Sequence, residues 1–196
     1  MMAVDQIDNM VHDNNGIITT RQVESIGISR PVFYKYIKDN GLDKISRGIY
    51  ATKDAWLDES YILSLRCPLI IYSHEEALFL HGLSDREPLI HTVTVKTGYN
   101  PSHLYDDCKV YTIKKDLYEM GKTEIKDSFG NLLPVYNLER TICDVIRSRN
   151  NIEIHDFQNA LRGYVRRKDK NTVQLMEYAK KLRVERLVRQ YLEVLL

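Results

Sequence analysis

Hydrophobic residues in AVDQIDNMVHD, residues 3–13, fall at Val4, Ile7, Met10 and Val11, one stripe at helical spacing. Asn14-Asn15-Gly16 breaks that helix. In IITTRQVESIGI, residues 17–28, Thr19 or Thr20 is placed to cap a short helix whose apolar face runs through Val23 and Ile26. Gly27 supplies a turn. Ser29 opens a third helix, Pro31 suits its first turn, and Gly41 can close it in the left-handed conformation. On the helical wheel Val32, Phe33, Tyr36 and Ile37 share the inward face. Pro31, Tyr34, Lys35 and Lys38 lie opposite, with Arg30 at the edge. LDKISRGIYAT, residues 42–52, reads as two short strands around Ser46-Arg47-Gly48, with Ile45 and Ile49 or Tyr50 turned inward. Helix, short helix, Gly-containing turn, helix and hairpin follow one another as in a winged helix-turn-helix.

The remaining pattern is mixed. Residues 53–68 read as a link, with Trp56, Leu57, Ile62, Leu63 and Leu65 as core positions. YSHEEALFLHGL, residues 72–83, has Ser73 and Glu76 at the spacing of a capping box before a short helix ending at Gly82. LIHTVTVKTG and CKVYTIKK alternate apolar and polar residues at period two, the pattern of half-buried strands. TEIKDSFGNLLPVYNL reads as a hairpin turning at Ser128–Asn131. Asn137 can cap LERTICDVIRSR, with Leu138, Ile142 and Ile146 inward, and from about Ile152 the chain reads as helical. The expected fold class is α+β: a winged helix-turn-helix in residues 1–55, then a mixed α/β domain in 56–196 ending in helices.

Composition changes this picture little. Apolar residues make up 43% and charged residues 28% of the 196-residue chain, ordinary for a folded soluble protein. No apolar run approaches the ~18 residues that span a bilayer, so no membrane partner is expected. The N-terminus has neither the basic nor the apolar region of a signal peptide. Cys67, Cys108 and Cys143 are odd in number and form no CxxC, which reads as buried reduced thiols in a cytoplasmic protein.

Charge matters locally. The net charge of +1 makes no global case for nucleic acid. Residues 20–50, however, carry six basic side chains (Arg21, Arg30, Lys35, Lys38, Lys44, Arg47) against three acidic ones. A tyrosine flanked by lysines on the outer face of a third helix suits phosphate and groove contacts, and an arginine at a wing tip suits the backbone or minor groove. The DNA-contacting set read from the sequence is Thr20, Arg21, Ser29, Arg30, Tyr34, Lys35, Lys38, Lys44 and Arg47. A winged helix used for protein contacts is the competing reading. Residues 147–196 hold twelve Lys/Arg and six Asp/Glu. Arg162, Arg166, Arg167, Lys180, Lys181, Arg183, Arg186 and Arg189 there form either a solvated face or a surface for nucleic acid or an acidic partner.

Catalytic constellations fare poorly. His74 and His81 are seven apart, not the four that a zinc-protease helix needs, and position 78 is Leu. Asp107 with Glu124 and Lys126 has the look of a metal-dependent nuclease, but an acid–x–Lys tripeptide is common by chance. Cys143 lies in an apolar phrase twelve residues before His155, where a buried thiol would be inert. No catalytic residue, metal site or cofactor is expected.

Taken together, ISRGIYA (45–51), YSHEEALFLHGLS (72–84) and VYNLERTICDVI (135–146) resemble the AbiEi family of abortive-infection antitoxins and transcriptional regulators. The resemblance implies a winged helix that represses its own operon at inverted repeats in double-stranded promoter DNA. It also implies a larger C-terminal domain that counteracts a nucleotidyltransferase-like toxin in the type IV manner, without a stable complex. Two other readings stand beside it: a plain winged-helix regulator whose C-terminal domain senses or dimerises, and a nuclease guided by its winged helix.

Overall fold

The hydrophobic stripe of residues 3–13 does form a helix, but it buries Ile7 and Val11 and leaves Val4 in solvent. The structure, a computed structural model, describes residues 3–195. Its residues pack as two units, one running to Pro68 and including Ser128–Asn131, the other comprising Leu69–Asp127 and the chain from Leu132.

The first unit contains α1 (Ala3–Asp13), β1 (Ile17–Thr19), α2 (Thr20–Ser25), α3 (Arg30–Asn40), β2 (Asp43–Ser46), β3 (Ile49–Ala51) and α4 (Glu59–Arg66). This is a winged helix-turn-helix. Its antiparallel sheet has the order β1-β3-β2, with Tyr50 opposite Ile18 on one side and Lys44 on the other. The core gathers Ile7, Val11, Ile18, Val23, Ile28, Phe33, Tyr36, Leu42 and Tyr50. Phe33 is fully buried, its ring edge-on to Tyr50 at 5.5 Å between centroids.

Several expected positions differ. Ile17 and Ile18, left unassigned by the sequence pattern, belong to a strand, and all three residues of β1 are buried against β3. Thr19 is the cap of α2, in a reciprocal capping box with Gln22 at 3.1 and 2.8 Å. Ile26 and Val32 are exposed, and Ile28, after the turn that follows α2, is buried. Ile45 is only half-buried, while Ile49, Tyr50 and Ala51 are all covered. The supposed link contains α4, capped by Asp58, whose carboxylate accepts from Tyr61 N–H at 2.7 Å. Of the five positions expected to be core there, Leu63 is buried and Ile62 and Leu65 partly so. Trp56 is 66% exposed and Leu57 is exposed, the tryptophan ring stacking instead on Phe129.

The second unit has β4 (Ile71–Tyr72), α5 (His74–Leu80), β5 (His91–Lys96), β6 (Cys108–Ile113), α6 (Lys115–Tyr118), β7 (Lys122–Lys126), β8 (Leu132–Tyr136), α7 (Leu138–Arg147), α8 (Ile154–Arg166), α9 (Thr172–Lys181) and α10 (Glu185–Leu195). Its mixed sheet is ordered β6-β5-β4-β8-β7, with β5/β6 and β4/β8 parallel. β7 and β8 form the expected hairpin. β5 is not half-buried: Thr92, Val93, Thr94 and Val95 are all covered because it is an inner strand. Its threonines are reconciled with burial by bonding to Ser73, Thr92 donating to its carbonyl at 2.6 Å and Thr94 to its Oγ at 2.8 Å. Ser73 therefore does not close the expected capping box, and the Glu76 carboxylate meets His91 at 3.1 Å instead.

Asn137 caps α7, accepting from Arg140 N–H at 3.0 Å. That helix is buried on nearly every side, not on one face. Arg140, with no exposed surface, pairs with Asp144 at 2.8 Å, donates to the Leu117 and Met120 carbonyls at 2.8 Å, and lies over the Tyr136 ring. Gly121 permits this: its φ is +77°, and a Cβ there would stand 2.7 Å from that of Arg140. Cys67, Cys108 and Cys143 are buried and unbridged. No described helix is long and apolar enough to cross a membrane.

Candidate nucleic-acid interface

The side chains that the helical wheel assigns to the outer face of α3 do point into solvent. Tyr34, Lys35 and Lys38 are exposed, as are Ser29 and Arg30 at the start of the helix. Pro31 occupies the first turn and Gly41 closes the helix at φ +63°. Ser29 is the N-cap residue but makes no side-chain capping bond. Arg47 projects from the β2–β3 turn, whose left-handed Gly48 has φ +75°. Lys44 is exposed on β2.

These groups do not form a single cluster. Thr20, Arg21, Arg30, Tyr34 and Arg47 line one groove of about 490 Å³ beside α3, while Lys35, Lys38, Lys44 and Ser29 lie outside it. Arg30 forks onto Glu24, and the hydrogen bond from its guanidinium holds the Glu24 carboxyl below its usual range. The Thr20 backbone N–H donates to the Gly48 carbonyl at 2.9 Å, tying the start of α2 to the turn of the wing. Ser64, Leu65 and Arg66 at the end of α4, with Pro68 just beyond it, supply another part of the groove's wall. Sequence reading missed this wall. Its one signal was Asp58, a capping residue with Glu59 in the first turn behind it.

Residues 5–53 match the family described as "Transcriptional regulator, AbiEi antitoxin". The N-terminal segment is thus similar to the AbiEi regulators over about a quarter of the chain. Over 89% of its length the chain is also similar to the crystal structure of the RV2827C protein from Mycobacterium tuberculosis, with 15% identity, a TM-score of 0.56, and coverage of 69% of that chain. At that identity the likeness speaks for the fold. No curated protein matches the chain significantly.

Outside the matched segment, the basic residues of the last fifty positions are divided among several places. Lys180, Arg183, Arg186 and Arg189 share a depression at the α9–α10 corner, where Glu185 pairs with Arg189 at 2.9 Å. Arg162 and Arg166 line another groove, faced by Asp85, Glu153 and Asp156. Arg167 is committed internally: it forks onto Asp169 at 2.7 and 2.8 Å and donates to the His81 carbonyl at 2.8 Å. That hydrogen bonding pulls the Asp169 carboxyl down to about 2. Lys181 lies on a third cleft with Arg147.

The enzyme-like constellations are also placed. His74 is buried, its ring stacked on Tyr111 at 3.5 Å, between the Ser73 and Ser148 hydroxyls. His81 meets the Tyr136 carbonyl at 2.7 Å. Asp107, Glu124 and Lys126 are exposed, the latter two on β7. Burial pushes the Cys143 thiol well up. Among the described residues, no group of three His, Cys, Asp or Glu side chains is arranged to hold a metal ion.

Proposed function

We propose that this chain is a cytoplasmic antitoxin that represses its own operon. The winged helix reads inverted repeats in promoter DNA through α3, with Tyr34 and Arg30 toward base edges and Lys35, Lys38 and Arg47 on phosphates. Residues after about 56 counteract a nucleotidyltransferase-like toxin without a stable complex and without catalysis of their own. The observation that carries this reading is the exposed Tyr34-Lys35-Lys38 face of α3 beside an arginine-tipped wing, in a segment matching AbiEi regulators. An exposed basic helix face together with a basic wing is the arrangement by which winged modules meet the phosphates flanking a groove.

The test pairs a promoter–reporter assay with growth in the presence of the toxin. Changing Lys35, Lys38 and Arg47 together to Ala is expected to release repression and still rescue growth. Changing Arg162, Arg166, Lys181, Arg183, Arg186 and Arg189 to Gln is expected to impair rescue and spare most of the repression. Loss of rescue as complete as loss of repression in the α3–wing variant would place antitoxicity in DNA binding and overturn the division.

A further inference from the structure

The parallel strands β5 and β6 end side by side, at Lys96 and Ile113, and the chain beyond them opens a cleft of about 690 Å³. Crevices outside the carboxyl ends of parallel strands are where open sheets receive ligands. The volume falls within the roughly 300–1,000 Å³ of small-molecule sites. Four cations line it: Lys114 after β6, Arg147 in the last turn of α7, and Lys181 and Arg183 at the end of α9. Among the described residues of the lining, Asp116 is the only carboxylate. None of the four cations is held in an ion pair with a described residue, in contrast to Arg167 and Arg189.

Two further features set the cleft apart from a solvated basic face. Ile113, Leu117 and Leu182 supply an apolar wall next to the cations. Arg183 has a backbone φ of +59°, a left-handed conformation that costs a non-glycine residue energy and that glycine adopts freely at such a helix end. The N–H groups of Arg183 and Val184 bond back to the Lys180 and Ala179 carbonyls at 3.1 and 2.9 Å, fixing where the arginine side chain begins. A glycine would serve the turn better. The arginine supplies charge to the cleft.

We infer that this cleft binds a nucleoside di- or triphosphate, with the phosphates against Lys114, Arg147, Lys181 and Arg183 and the base against Ile113, Leu117 and Leu182. Several converging cations on one side and an apolar wall on the other match the two halves of such a ligand, whereas a nucleic-acid backbone would need no apolar wall. The site lies wholly within the second unit, so its occupancy is independent of whether the winged helix binds DNA.

Titration calorimetry of the full chain with ATP, GTP, inorganic triphosphate, adenosine and a short DNA duplex tests this. At least one of the two nucleotides is expected to bind once per chain at micromolar concentration, adenosine not at all, and triphosphate at least tenfold more weakly than the nucleotide. Lys114→Gln and Lys181→Gln should each weaken binding at least fivefold, and Lys168→Gln, outside the cleft, should leave it unchanged. Arg183→Gly should hold or raise the melting temperature while weakening binding, which separates a ligand role from a structural one. No nucleotide binding at millimolar concentration, triphosphate binding as tightly as ATP and GTP, or indifference to Lys114→Gln and Lys181→Gln would overturn the assignment. So would a duplex that competes through these residues more tightly than either nucleotide.

Discussion

His74 combines a left-handed backbone, φ +51°, with a fully enclosed ring. Burial, followed by the fields of Lys109, Arg147 and Arg140, holds its pKa well below 6.5. The folded ring therefore stays neutral where the unfolded chain takes up a proton. Stability from this residue is complete above about pH 6.5 and declines as pH falls below it, by about 1.4 kcal/mol per pH unit while the folded ring remains neutral. His81 is shifted the same way, by burial first, and adds to the trend. His74→Asn keeps a residue that tolerates positive φ. It is expected to be less stable at neutral pH and to show a shallower loss between pH 6.5 and 5 in urea unfolding. An unchanged slope would mean that His74 titrates alike in both states. At the same scale, the exposure of Lys35 and Lys38 was legible from wheel position and that of Arg47 from its place in the wing turn. The fork of Arg30 onto Glu24 was not, because it depends on the turn that brings residue 24 back beside residue 30.

Among the elements, α7 joins the sheet to the last three helices, and its Arg140–Asp144 pair lies one turn apart inside the protein. Asp144→Ala leaves a buried guanidinium without its carboxylate and is expected to destabilise the chain by about 3–5 kcal/mol. Arg140→Met combined with Asp144→Leu removes both charges and should cost far less, measurable by denaturant unfolding. In the first unit, Phe33→Ala empties a fully buried ring site and should cost about 3–5 kcal/mol. Helices with a clear stripe or cap were readable ahead of the structure: α1, α3 and α7, together with the β7–β8 hairpin. The three-residue β1 and two-residue β4 are too short to show a period, so nothing marked them as strands. Ser73 and Glu76 had the spacing of a capping box, yet Thr94 from β5 engages the Ser73 hydroxyl. That outcome is set by tertiary packing, which local spacing does not encode.

For the whole molecule, the strand order β6-β5-β4-β8-β7 and the clefts it creates lay beyond the reach of sequence patterns, since they depend on which distant strands pair. The basic excess after residue 147 was legible as a count, but its division into separate grooves was not. A single recognition helix reads few base pairs, so the proposed operator is an inverted repeat occupied by two protomers. Scrambling one half-site is expected to weaken binding at the other. Equal, independent affinity for isolated half-sites would argue against cooperation.

The central claim is that α3 and the wing hold DNA, and fluorescence anisotropy with a labelled duplex from the operon's upstream region, titrated over a salt series, tests it most directly. Lys35→Ala, Lys38→Ala and Arg47→Ala are each expected to weaken binding and to reduce the salt slope by about one unit, as the loss of one phosphate contact requires. Wild-type affinity and slope in all three variants, with circular dichroism unchanged, would contradict it.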